Sequence, residues 1–210
     1  MRVSFLASLL VLFALPSAAH ADTIINASST GWCDSSSSCD TSSLNGGIAN
    51  NDASTDYNDF FTFSIPTGET ITSATLNIWA SDAYGVGHDG SGTYTLDQAT
   101  GLSFSGLGSG TVLGSIDGAS VSAGSAGMFD SITINAAGLA DLNSAEGSGF
   151  SIGGTVGGST LDVWGYTSGT PVAFLDLTTS PAATPEPSSL ALLGTGLLAG
   201  ISAFRRKLKC

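Results

Sequence analysis

Acid–base chemistry in this chain has few side chains to draw on. Apart from His20, near the N-terminus, His88 is the sole histidine, and it sits in the loop-like GVGHDGSG. Asp82 or Asp89, with one of many serines, could complete a Ser-His-Asp set around it. No G-x-S-x-G elbow accompanies it, and a glycine-rich loop holds a general base poorly in place. The residues therefore read as an exposed loop histidine. Paired carboxylates for glycoside cleavage are a second option. Glu69 and Glu146, the two glutamates before residue 186, each adjoin a glycine in turn-like or helix-end sequence. Neither has the context of a catalytic acid.

Two clusters of aspartates offer hard oxygen ligands of the kind Ca²⁺ takes. DASTDYND carries Asp52, Asp56 and Asp59, and SDAYGVGHDGSGTYTLD carries Asp82, Asp89 and Asp97. Neither follows an EF-hand loop or a Ca²⁺-binding repeat. The expectation is solvated loop acids and no cofactor, with Ca²⁺ as the alternative. Aromatic side chains could stack on sugar rings. The candidates are Trp32, Trp79 and Trp164 with Tyr57, Tyr84, Tyr94 and Tyr166, and Trp79 and Trp164 lie in strand-like sequence. Trp79 is out of phase with Leu76 and Ile78, so it faces away from whatever they face. The alternative places both tryptophans in a core or an interface. Thr70/Thr72 and Thr93/Thr95 are isolated pairs without the repeat that an ice-binding array needs.

Charge narrows the field. The chain has 17 acids and five bases, and the bases are Arg2, Arg205, Arg206, Lys207 and Lys209. Between Val3 and Phe204 there is no Lys or Arg, while every acid but Glu186 lies between Asp22 and Asp176. The body cannot neutralise nucleic-acid phosphates or grip an anion with a guanidinium fork. Its acids must be solvated, hydrogen-bonded to backbone or neutralised by a metal ion, and the uniform charge keeps an exported protein dispersed.

The elements that would position these residues are strands. NDFFTFSI puts Phe61, Phe63 and Ile65 on one face, and ITSATLNIWAS sets Leu76 and Ile78 against Asn77 and Trp79. SGTYTLD, SGTVLGSID, MFDSITIN, SGFSIGG, STLDVWGY and PVAFLDLT continue the series, bounded by Gly, Ser, Asp or Pro. Short alternating segments of this kind predict an antiparallel, jelly-roll-like β-sandwich. The predicted core comprises Phe61, Phe63, Leu76, Ile78, Ile132, Ile134 and Ile152, with either Phe174 or the Leu175/Leu177 phase of the last strand, and the latter is favoured. One helix is predicted over Ala136 to Ala145. Asn135 would cap it, Leu139 and Leu142 would face the core, and Gly147 would end it.

Both ends read as addresses. Arg2, the apolar stretch from Val3 to Leu15 and Ala19-His20-Ala21 form a secretory signal peptide, with cleavage expected after Ala21. At the other end, Pro185-Glu186-Pro187 precedes an apolar run from Leu190 to Phe204 and the cluster Arg205-Arg206-Lys207. With Arg205 snorkelling, the run just suffices to cross a bilayer, and the bases hold the tail in the cytoplasm. The expected organisation is residues 1–21 signal peptide, 22–180 sandwich and 181–210 sorting segment. In an exported chain, Cys33 and Cys39 read as a disulfide. A metal or redox pair is the alternative, and no ligand lies nearby to favour it.

The tail resembles the PEP-CTERM sorting signal. That resemblance implies cleavage by the membrane protease exosortase, transient residence in the inner membrane, and export from a Gram-negative bacterium that often makes a polysaccharide matrix. A second resemblance covers roughly residues 57 to 178. NDFFTFSIP, ITSATLNIW, ITINAAGLADLN and FSIGG look like a β-sandwich family common among PEP-CTERM proteins, loosely similar to DNRLRE-type domains, some of which bind polysaccharide. The combined expectation is a non-enzymatic cell-surface or biofilm-matrix protein that binds no nucleic acid, with extracellular polysaccharide as a partner. An enzyme or binding module acting on that polysaccharide is the rival, and ice binding a weaker one.

Overall fold

Alternation along the FFTFS and ATLNI segments decides the architecture. In the computed structural model, which describes residues 21–36, 38–41, 48–51, 55–80, 92–117, 128–157, 163–164 and 173–181, β5 (Asp56–Ser64) and β6 (Glu69–Ala80) are consecutive but enter different sheets. The four-stranded sheet has the order β1 (Ala21–Asn26), β12 (Ala173–Pro181), β6, β9 (Met128–Thr133). The eight-stranded sheet runs β11 (Val163–Trp164), β4 (Ile48–Asn51), β5, β10 (Gly149–Gly157), β7 (Thr93–Gln98), β8 (Val112–Asp117). Off this path, β2 (Ser29–Asp34) pairs with β5 and with β3 (Cys39–Asp40). Every pairing with a described register is antiparallel.

The inward rows of the two sheets share one core. Leu76, Ile78, Ile132, Leu175 and Leu177 come from the four-stranded sheet, and Phe61, Phe63, Tyr94, Leu96, Leu113 and Ile152 from the other. The predicted core residues are therefore buried, and the last strand takes the Leu175/Leu177 phase. Phe174 points to the opposite face and is half-buried there. Phe60 faces outward on β5 and is also fully buried, in a second cluster with Cys33 and Leu107.

Among the described residues there are two helices, where the sequence predicts one for the body. α1 (Phe104–Leu107) is a single turn, capped by Ser103, whose Oγ accepts from the Gly106 amide at 3.1 Å. It sits so close to β10 that a Cβ on Gly153 would lie 2.1 Å from the Leu107 carbonyl oxygen. Glycine is what allows this approach. α2 (Ala136–Ser144) matches its prediction closely. Asn135 caps it, its Oδ1 accepting from the Gly138 amide at 2.9 Å, and Leu142 is buried with Leu139 packed beside it. Asn143 fastens the helix to β6 like an extra strand, accepting from the Ile71 amide (2.9 Å) and donating to its carbonyl (3.0 Å). Gly147, at φ +72°, turns the chain after the helix into β10.

The chain divides into two units, one ending at Ser180 and one beginning at Pro181. Among the described residues no helix is long and apolar enough to cross a membrane. The run from Leu190 to Phe204, predicted to span, lies outside the described residues, as do the signal peptide up to His20 and the sorting residues Pro185, Glu186, Pro187, Arg205, Arg206 and Lys207.

Candidate functional site

Among the described residues the predicted acids Asp56, Asp59 and Asp97 do not converge. Asp52, Asp82, Asp89 and His88 lie outside the described residues. Asp56 and Asp59 are both on β5, but alternation puts them on opposite faces. Asp97, on β7, accepts from the Thr155 hydroxyl at 3.3 Å on the outward side of its sheet. Among the described residues no three His, Cys, Asp or Glu side chains stand together as a metal site would require.

Asp59 departs most from expectation. Its sequence context suggests a solvated loop acid, yet it is completely buried. It is in phase with Phe61 and Phe63, so the alternation that drives those rings inward carries the carboxylate with them. Its Oδ1 accepts from the Tyr94 hydroxyl at 2.7 Å, while Oδ2 is buried without a hydrogen-bond partner. The pair occupies space that only a glycine leaves open. A Cβ on Gly154 would lie 1.9 Å from the Tyr94 oxygen and 2.1 Å from Asp59 Oδ1. Burial pushes the Asp59 carboxyl up to about 8, against the opposing hydrogen bond from Tyr94. Burial raises the Tyr94 hydroxyl too, and the neighbouring Asp59 adds to that rise. Burial also raises Asp97, opposed by Thr155. The Asp59 carboxyl therefore sits in the interior, held by Tyr94 and beside Gly154. The signal for its burial is in the sequence: D-F-F-T-F keeps Asp59 on the phenylalanine period.

Cys33 and Cys39 form the predicted disulfide, directly opposite one another on β2 and β3. The intervening turn is organised by Asp34. Its Oδ1 accepts from the Ser36 hydroxyl (2.7 Å), the Ser38 amide (2.9 Å) and the Ser36 amide (3.0 Å). The Ser36 hydroxyl is the largest cause holding this carboxyl below the usual aspartate value. The serine run thus serves the turn.

Of the candidate sugar-stacking residues, Trp79 lies where its phase predicts, on the outward face of the four-stranded sheet. It packs edge-to-face on Phe129, its cross-strand partner, with ring centroids 4.9 Å apart. Phe129 packs the same way on Phe174, also at 4.9 Å. One step along the strands, Ser131 donates to Asn77 Oδ1 at 2.6 Å. The sequence does not reveal the contribution of Phe129 and Phe174, because MFD and AFL look like core segments until the phase of each strand is known. Trp164 lies on β11, opposite Ile48 of β4. Trp32 packs edge-to-face on Tyr57 at 5.1 Å. Tyr94 is committed to Asp59.

Comparison with known proteins bears on the tail alone. No curated protein matches the chain, so the resemblance of residues 57 to 178 to a DNRLRE-like sandwich family finds no support there. Residues 183–207 match the PEP-CTERM protein-sorting motif. The match covers Pro185-Glu186-Pro187, the apolar run and Arg205-Arg206-Lys207. It supports the chain's reading as an exosortase substrate, exported as a membrane-anchored precursor and sorted to the cell surface.

Proposed function

We propose that the sorted protein is a non-enzymatic component of the producer's extracellular polysaccharide matrix or biofilm. The observation that carries this reading is a surface-sorting motif at residues 183–207 joined to a body without a single Lys or Arg. A strongly acidic sandwich repels nucleic acid and anionic surfaces and remains dispersed among other polymers. The placement of the acids favours the same reading over a polysaccharide-cleaving enzyme. Asp59 is sealed in the core, and Glu146 is engaged by the Gly68 amide at a turn. Ca²⁺ bound by the loop acids would bridge copies of this acidic protein, as a secondary part of the proposal. Mature protein recovered from the producer should co-sediment with the producer's own polymer and release no new reducing ends from it. Turnover that disappears when a pair of acids is changed to amides would establish the enzyme instead.

A further inference from the structure

The outward face of the four-stranded sheet combines features that a generic solvated face does not. Its aromatic end is formed by Trp79, Phe129 and Phe174, whose edge-to-face contacts hold one another in place. Beside the rings, Asn77 is almost fully buried, its Nδ2 donating to the Thr75 carbonyl and its Oδ1 accepting from Ser131, so it fixes the exposed Ser131 next to an apolar surface. On β12 alternation puts Asp176 on the same face as Phe174, and Asp176 is exposed. Its cross-strand partner on β1, Ile24, is 65% exposed and widens the apolar area. Strands lie about 4.8 Å apart, so one row across four strands spans about 14 Å, enough to lie against a few linked sugar rings.

The geometry points to this face as a binding surface for an uncharged polysaccharide chain. Rings and Ile24 would cover the apolar C–H faces of the sugars, while Ser131 and Asp176 would take their hydroxyls. The charge selects this occupant. The face carries Asp22 and Asp176, and the body supplies no Lys or Arg, so an anionic polymer would be repelled. A second copy of the chain would bring its own excess of acids against the same surface. The inference rests on the matrix reading above and gives it a ligand class and a location.

The test uses mature protein recovered from the producer, with co-sedimentation on the insoluble uncharged glucans cellulose and curdlan, on the producer's own polymer, and on alginate gel as the anionic control. Wild type is expected to sediment with at least one uncharged polymer and not with alginate. Trp79→Ala and the exposed-site variant Ser131→Arg should each weaken that binding at least tenfold. Thermal melting of both variants is measured alongside, and Ser131→Arg keeps the test decisive if Trp79→Ala unfolds. Retention on the producer's polymer with unchanged binding in Ser131→Arg would overturn the face while leaving the matrix reading intact. Failure to bind any uncharged polymer overturns the face as well. Failure to sediment with the producer's polymer, together with cellulose or curdlan binding that Ser131→Arg abolishes, would overturn the matrix reading alone.

Discussion

A carboxyl buried beside phenylalanine rings makes stability depend on pH in an unusual direction. The Asp59 carboxyl ionises near 3.8 when exposed and at about 8 in the folded chain. Between those values the folded state holds a proton that the unfolded state has lost. Asp59 therefore contributes most below about pH 4, and its contribution falls as pH rises toward 8, levelling off above that. Asp97, also raised by burial, acts in the same direction. Asp34, lowered by its turn hydrogen bonds, acts oppositely, and its contribution disappears in acid. Substitution isolates the Asp59 part. Asp59→Asn keeps an oxygen for the Tyr94 hydroxyl and cannot ionise. Its stability should equal that of wild type near pH 4 and exceed it by on the order of 4 kcal/mol at pH 7, because each tenfold difference in proton affinity between the two states is worth about 1.4 kcal/mol. Urea unfolding of both proteins from pH 4 to 9 checks this, and two parallel stability curves would remove Asp59 as the cause.

Among elements, what is legible in the sequence is what alternates. β5 places Phe61 and Phe63, and β6 places Ala74, Leu76 and Ile78, at every second position, and these inward rows follow from that period. Either Phe63→Ala or Ile78→Ala should cost about 2–5 kcal/mol, since each opens a cavity between the sheets. Denaturant midpoints measure it, and an unchanged midpoint in both would disprove the assignment of these rows to the core. α2 is equally legible, because its cap, its Leu139/Leu142 face and its terminal glycine all lie close together in sequence. β1 to β4 are not. ADTIIN carries two adjacent isoleucines and no period, and STGWCD has few apolar residues. Both are strands because β12 and β5 offer them edges to pair with. α1 escapes for a similar reason: four residues show no helical period, and the turn exists by packing on Gly153 and Phe60. The outward aromatic cluster needs three strands in register, and Trp79 alone announces its face.

For the whole molecule, the same pairing that places β1 limits where processing can occur. β12 lies between β1 and β6 and runs to Pro181, with Thr179 opposite Ala21. A protease needs its substrate extended and unpaired, so a cut within β12 would require pulling a central strand from the sheet. The sorting motif begins at residue 183, two positions beyond that strand, and the apolar run begins at Leu190. Pro185 and Pro187 lack the amide hydrogen that a sheet or a helix interior would use, so the sequence there disfavours both. The mature C-terminus should therefore fall between Pro181 and Leu190, leaving the sandwich whole and removing Arg205, Arg206, Lys207, Lys209 and Cys210. Charge moves with the cut. On that cut the exported form would lose all four bases of the tail and become an almost pure polyanion, with no positive segment to hold it to the membrane. Intact-mass measurement of protein recovered outside the cell reads the new terminus directly. A species still carrying Arg205 to Cys210 would count against sorting by cleavage, and one ending inside β12 would count against protection by the sheet. Replacing Pro185 and Pro187 by Ala should leave the precursor, tail attached, in the inner-membrane fraction.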